Sequence, residues 1–495
     1  MSASTSASST ALPSPTLQDP DALRAARMIP FIVGCALFMQ MLDATVVATA
    51  LPAMATSLAS TPVRLNVAIT SYLLAAAVFV PISGWAADRF GARRVFIAAI
   101  VLFTLSSVTC AISQDLSQLV LSRIAQGMAG AMMVPVGRII LLRLVPKEDL
   151  LKAMSFLSIP ALLGPVIGPP LGGFLVTYAS WHWIFLINVP MGVFGIALTL
   201  RYIKEVRDAD PPKLDWLGFF LSAICLATMV TGFEAVGRDV MSNTELLSLI
   251  GVGLVCGFWY VRHARKIDYP IIDLSLMRIP TFAISTLAGN LCRFTVGATP
   301  FLLAMLLQIG FGLSPFSAGM ITFAGAAGAL AMKFVATPIV RRYGFRRVLT
   351  INSLLTGLFI VACALFSPST PAWLMIVILL IGGFFRSLQF TGVNTLTYAD
   401  IPPQLMSRAS SFSAMAQQLG ISLGVGVAAV TLNVSMALRG ADTLSVGDTV
   451  SGFIVIGILC ASSYFSFRRL DPNAGDEVNG RNRKAASTVN NDNEE

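Results

Sequence analysis

The chain has 495 residues, 55% hydrophobic and 12% charged, with a formal net charge of +9 and a mean hydropathy of +0.77. Soluble domains carry about 25% charged residues, so this composition excludes a water-facing globule and points to an integral membrane protein. The distribution of the positive charge, given below, speaks for membrane topology and against nucleic acid.

Residues 1–27 open with a Ser/Thr/Pro-rich stretch and read as a disordered cytoplasmic tail. They are not a signal peptide, because no basic segment precedes a short apolar stretch with a cleavage site. A membrane-spanning helix needs about 20 apolar residues. Fourteen runs qualify, at about 29–52, 66–87, 95–113, 118–142, 153–177, 183–203, 214–235, 246–262, 281–309, 316–338, 348–366, 372–396, 408–435 and 449–467. Residues 468–495 read as a second disordered cytoplasmic tail.

The charge supports this count. With both termini inside, 26 of the 34 Lys/Arg fall in cytoplasmic segments or, as Arg201, Arg262 and Arg408 do, at the cytoplasmic ends of spans, and three (Arg64, Arg238, Arg439) fall in outer loops. That split is a positive-inside signal that puts both tails in the cytoplasm, and a cytoplasmic (inner) membrane is the expected location. Trp181, Trp183, Trp216, Trp259 and Trp373 fall at span ends, where an interfacial aromatic belt is expected. The seven cysteines all lie in apolar runs without a CxxC pair and read as small hydrophobes. Two histidines, His182 and His263, give no basis for a metal site.

After the second span comes "GWAADRFGARRV", residues 84–95. Simple positive-inside charge accounts for its arginines but leaves Asp88 and the glycines unexplained. Gly84 and Gly91 permit close approach and a tight turn. Asp88 is placed to pair with a nearby arginine, a latch that can be made and broken. Arg89, Arg93 and Arg94 complete the hinge. "PIVRRYGFRRV" (338–348) repeats Gly91, Arg93 and Arg94 as Gly344, Arg346 and Arg347, at a constant offset of 253, with Arg341 where the first copy has Asp88. "VPKEDLLKAMSF" (145–156) and "IPPQLMSRASSF" (401–412) match at an offset of 256. Two matches at nearly one offset divide the chain into a six-span half at 28–204, a two-span insertion at 205–270 and a second six-span half at 271–467.

The hinge resembles the loop between the second and third helices of the major facilitator superfamily. "LDATVVATALP" (42–52), "LSRIAQGMAGAMMVP" (121–135), "GPVIGPPLGG" (164–173) and "WHWIFLINVPMG" (181–192) resemble, in order, motifs of its fourteen-span drug:proton antiporter family, the EmrB/QacA group. The resemblance implies an all-α major facilitator fold, two six-helix halves plus a two-helix insertion, and a secondary active transporter. It implies a proton-coupled antiporter that exports amphipathic compounds, drugs among them, by alternating access. It implies no enzyme activity, and it leaves room for a periplasmic adaptor as a partner. The chain has no GxxxxGK[ST], so no nucleotide or other cofactor is expected and the proton gradient is the energy source. The alternative is a transporter of one anionic or polar metabolite. A receptor or enzyme would need a soluble domain or a catalytic cluster, and neither is visible.

Charge inside a bilayer is expensive and marks function by default. Asp43 in span 1 and Arg123 in span 4 lie at similar depths. A carboxylate beside an arginine stays ionised, and one buried without that contact takes up a proton, so Asp43 is the candidate proton carrier and Arg123 its switch. The alternative is a permanent structural pair. Glu234, near the end of span 7, is a lesser candidate. Arg293 and Arg386 fall near mid-membrane in spans that line the cavity of this superfamily; with Gln389 and Asn394 they make up the expected substrate cavity, or else those amides hold the arginines. Lys333 and Arg138 lie near cytoplasmic ends and are expected to snorkel. In span 5, Gly164, Gly168 and Gly172 share a helix face suited to close packing, Gly173 follows, and Pro165 and Pro169 bend the helix.

Overall fold

The computed structural model describes residues 20–58, 62–205, 213–235, 241–440 and 444–479. Arg238 and most of both tails lie outside these residues, as do the side chains of Arg64, Pro165, Pro169 and Glu234. The first half comprises α1 (Pro20–Ser57), α2 (Pro62–Phe79), α3 (Ser83–Phe90), α4 (Ala92–Ala111), α5 (Leu116–Leu144), α6 (Leu150–Tyr178), α7 (Trp183–Leu186) and α8 (Asn188–Tyr202). The insertion is α9 (Trp216–Ala235) and α10 (Asn243–Ala264). The second half comprises α11 (Pro280–Ala304), α12 (Pro315–Tyr343), α13 (Phe345–Ala362), α14 (Ala372–Leu396), α15 (Met406–Arg439), α16 (Val446–Phe467) and the short α17 (Asp476–Asn479).

Helices are what these apolar runs must form, because a helix satisfies its own backbone where no water reaches. Thirteen helical spans among the described residues are long and apolar enough to cross a membrane. The expected fifth span is α6, 29 residues long with Lys152 as its only charge, so each expected span meets a long helix. Polar side chains cap several starts: Asp115 accepts from the backbone N–H of Gln118 at the head of α5, and Ser242 and Glu245 form a capping box on α10.

The repeated hinge has a backbone cause. Gly91 joins α3 to α4 at φ +94°, and Gly344 joins α12 to α13 at φ +77°. Both occupy a region that side chains rarely adopt, which is why glycine is written twice. Replacing Gly344 by Ala should lower stability by about 1–2 kcal/mol, read as the thermal midpoint in detergent; an unchanged midpoint would show that the turn relaxes without strain.

The halves repeat in their packing. α1 packs on α6 as α11 packs on α15, α2 on α5 as α12 on α14, and α4 on α8 as α13 on α16. At the end of the bundle that carries the hinges, the halves share one apolar core, running from Val33, Phe96 and Ile140 to Phe282, Leu396 and Phe412. At the opposite end each half keeps its own, around Met54, Leu119 and Phe185 in the first and around Leu302, Phe366 and Phe453 in the second. The molecule is therefore closed between the halves at the hinge end.

Some expectations need correction. The insertion touches both halves: α9 packs against both α2 and α15, and its Leu226 and Val230 meet Ala77 and Met415. Helix α1 starts at Pro20, inside the expected tail, and residues 468–479 fold onto the hinge end, where Leu470 and Val478 are buried and Glu477 pairs with Lys147 of the first half at 3.0 Å. Four of the five tryptophans are exposed, as a belt requires, but Trp181 is buried: its ring stacks on His182 and meets Phe185 edge-on.

Candidate functional site

Asp43 on α1 and Arg123 on α5 meet at 2.6 Å. Both are 1% exposed. The other carboxylate oxygen is engaged too: Gln126 Nε2 and Asn188 Nδ2 donate to Asp43 Oδ1 at 2.9 and 3.1 Å. Arg123 also donates to Gln126 Oε1 at 2.6 Å and to the Ala68 carbonyl at 3.2 Å, and its guanidinium lies 4.3 Å from the centre of the Tyr72 ring. Ser107 accepts from both Gln126 and Asn188 and donates to the Phe185 carbonyl. One carboxylate is thus held by groups from α5 and α8, braced in turn by Ser107 of α4, in a site sealed from solvent. A buried pair has value only with such geometry, since removing one partner leaves a charge in low dielectric.

The glycine motif supports the helix that carries Asp43. A Cβ at Gly164 would lie 2.7 Å from Met41 Cβ, and one at Gly168 would lie 2.9 Å from Thr45 Cβ. Close approach of α6 to α1 therefore excludes side chains there. Gly172 is buried on the same helix. Gly173 faces open space. Beyond α1, α6 also packs on α12 and α14 of the other half, so it lies between the Asp43–Arg123 pair and the partner bundle.

The hinge forms a latch between the halves. Asp88 pairs with Arg143, at the end of α5, at 2.8 Å, and Ser407 of α15 donates to the same carboxylate oxygen at 2.5 Å. The Gly84 N–H donates to Ser411 Oγ at 2.8 Å, and a Cβ at Gly84 would lie 2.6 Å from the Ser407 carbonyl oxygen. Nearby, Ser410 donates to the Pro135 carbonyl and Arg138 to Tyr398 Oη at 3.2 Å. The latch thus joins the first hinge copy to the second copy of the other repeated motif. Arg93 and Arg94 turn away toward the end of α8: Arg93 donates from its side chain to the Leu200 carbonyl and from its backbone to Glu205, and Arg94 lies 3.5 Å from Glu205. Arg89 is exposed.

In the second half, Arg293 donates to Asn290 Oδ1 at 3.1 Å and to Asn394 Oδ1 at 2.8 Å. Gln389 accepts from Asn352 at 2.8 Å and donates to the Leu349 carbonyl and Cys292 Sγ. Arg293, Arg386 and Gln389 line one void of about 10 Å³, the smallest space that holds a water molecule. Arg293 is therefore held by amides; Arg386 has no hydrogen-bond or ion-pair partner among the described residues. Lys333 and Arg138 do not snorkel: they are 6% and 8% exposed, with Lys333 donating to Thr391 Oγ1 at 2.5 Å and Arg138 reaching across to Tyr398.

The structure brings together Asp43 with Arg123, and Arg293 with Asn394, Gln389 and Arg386. It keeps the second group apart from the first. Gln126, Asn188, Ser407, Ser411 and Lys333–Thr391 are the groups that sequence reasoning missed. Gln126 sits one turn after Arg123, and Asn188 lies in the quoted span 6 motif, so helical spacing and motif position carried a signal for both. Nothing local marks the serines.

A family model described as Major Facilitator Superfamily matches residues 33–425 and again 285–488. Among curated proteins, the chain is 41% identical over 404 residues to the multidrug resistance protein MdtD of Serratia proteamaculans, covering 81% of this chain and 84% of that one. It is 42% identical over 408 residues to the protein of that name from Salmonella typhimurium, covering 81% and 85%. Among solved structures, the human organic anion transporter MFSD10 superposes with a TM-score of 0.63 at 16% identity over 91% of this chain and 100% of that one. The proton:xylose symporter XylE does so with 0.62 at 15% over 92% and 98%.

Proposed function

The chain belongs to the major facilitator superfamily, and we propose that this multi-pass transporter is a proton-coupled antiporter exporting amphipathic compounds from the cytoplasm across the inner membrane. The observation that carries this reading is the sealed Asp43–Arg123 pair on two helices of the first half. In alternating access, a shift of α1 against α5 separates the two, and the carboxylate then takes a proton from whichever side it meets. Restoring the contact releases it. The names of the relatives support drugs as cargo. The positive-inside distribution supports an orientation with both termini and the hinge latch in the cytoplasm. No nucleotide or metal has a role in this scheme; the gradient supplies the work.

Proteoliposomes with an imposed pH gradient, screened against amphipathic compounds, test the reading. Transport should follow the gradient and cease when an ionophore collapses it. Gradient-independent flux would overturn proton coupling.

The second half favours a particular cargo charge. Arg386 is a cation at mid-membrane that no acid of the described residues neutralises, and a guanidinium there suits an acceptor or anionic group. Neutral or anionic amphiphiles should bind in preference to dications. Arg386→Ala should weaken that binding about tenfold, the loss of one charge-assisted hydrogen bond. Arg138→Ala should do less, because Arg138 bonds Tyr398 across the halves. Dye displacement with matched anionic, neutral and cationic amphiphiles decides this; tightest binding by cations, unchanged in Arg386→Ala, would refute it.

A further inference from the structure

The two hinges share a backbone and differ in what neutralises their arginines. At the first, Glu205 sits beyond α8, accepts from the Arg93 backbone N–H at 3.2 Å and lies 3.5 Å from the Arg94 side chain. At the second, the equivalent arginines are Arg346 and Arg347, and the residue following α16 is Arg468. Together with Tyr343, Thr350, Ile351, Tyr464 and Pro472 these three arginines line a pocket of about 400 Å³. None of the three pairs with a carboxylate among the described residues; Arg347 lies only near a ring, 6.0 Å from the centre of Tyr343. Where the first half supplies an anion from its own chain, the second supplies a third cation and a space.

We propose that this pocket binds the phosphate headgroup of an anionic phospholipid. Three guanidiniums around one cavity match the fork geometry of a phosphate diester, and basic pockets between transmembrane helices are suited to anionic headgroups. The surroundings commit the site to a lipid over a soluble anion. Ile351 lines the pocket and is 49% exposed, and Leu354 and Leu358 continue its face along α13 at 44% and 60% exposure, so an apolar track leads from the arginines toward the bilayer. Tyr343, 48% exposed, and Tyr464 sit where aromatic side chains favour the membrane interface. The bound phosphate does at the second hinge what Glu205 does at the first: it ties the start of α13 to the end of α16.

The test uses the purified full chain in neutral detergent, titrated separately with phosphatidylglycerol, phosphatidylcholine and inorganic phosphate. Bound lipid is counted by native mass spectrometry and stabilisation is read by thermal melting. Phosphatidylglycerol should be retained and should raise the melting temperature, and the other two should not. Arg346→Ala with Arg468→Ala should weaken retention about thirtyfold, while Arg265→Ala with Lys266→Ala, an equal loss of charge at exposed residues just beyond α10, should leave it unchanged. Arg468→Glu, which writes the first half's solution into the second, should melt higher without lipid and gain nothing from phosphatidylglycerol. Equal retention by wild type and the double variant would overturn the site. Equal protection by inorganic phosphate would overturn the lipid assignment.

Discussion

Asp43→Asn should reduce gradient-driven transport in proteoliposomes to the background of protein-free vesicles. Asparagine keeps the size of the side chain and still meets the Gln126 and Asn188 amides, which donate to Asp43 Oδ1. It cannot take up or release a proton, and it leaves Arg123 buried without its counter-charge. Arg123→Ala is the complementary change. It strands the carboxylate instead, and removing one partner of a buried pair costs about 3–5 kcal/mol, so this variant should melt well below wild type. Both variants leave a buried charge unpaired and should lose stability, so coupling is read from protons and not from melting. Substrate-induced proton release in detergent is the direct measurement: wild type should acidify a weakly buffered solution when substrate is added, and Asp43→Asn should not, while still binding substrate. Proton release by the variant equal to wild type would remove Asp43 as carrier and pass the role to Glu234, the lesser candidate.

The sequence was most informative where chemistry is local. Membrane helices announce themselves by apolar length alone, so the spans met the long helices of the structure. Gly91 and Gly344 were legible because a positive φ leaves almost no residue but glycine. Asp43 and Arg123 were legible because a charge in an apolar run is costly wherever it sits. What escaped was what depends on two distant segments. Ser407 and Ser411 look like ordinary serines in a helix, and become partners of Asp88 and Gly84 only when the halves close. Lys333 and Arg138 were misread because distance from the span end says how far a side chain must reach for water, but not whether a nearer polar group intercepts it; Thr391 and Tyr398 do. Trp181 was misplaced because the belt rule takes account of depth alone, while neighbouring rings turn this one inward.

The latch gives the other large expected effect. The closed hinge end brings Gly84 against the α15 backbone, where an added Cβ would lie 2.6 Å from the Ser407 carbonyl oxygen and 2.6 Å from Ser411 Oγ. Backbone cannot rotate out of the way as the tip of a side chain can, so Gly84→Leu should hold the halves apart at this end and stop the transport cycle, although each half packs as before. Asp88→Asn is milder. It removes the charge that Arg143 and Ser407 share, worth about 1.5–3 kcal/mol for a hydrogen bond to a charged group, and so should shift the balance between closed and open by roughly ten- to a hundredfold. Transport should fall accordingly, with substrate affinity retained, because the carboxylate lies in the latch and outside the cavity. Spin labels at Lys204 and Gln404, exposed positions at the hinge end of the two halves, report the separation by pulsed electron resonance. Wild type should show a short distance, Gly84→Leu a long one, and Asp88→Asn both. A short distance in Gly84→Leu together with wild-type transport would mean that the halves close elsewhere and that the hinge is a topological signal without a mechanical part.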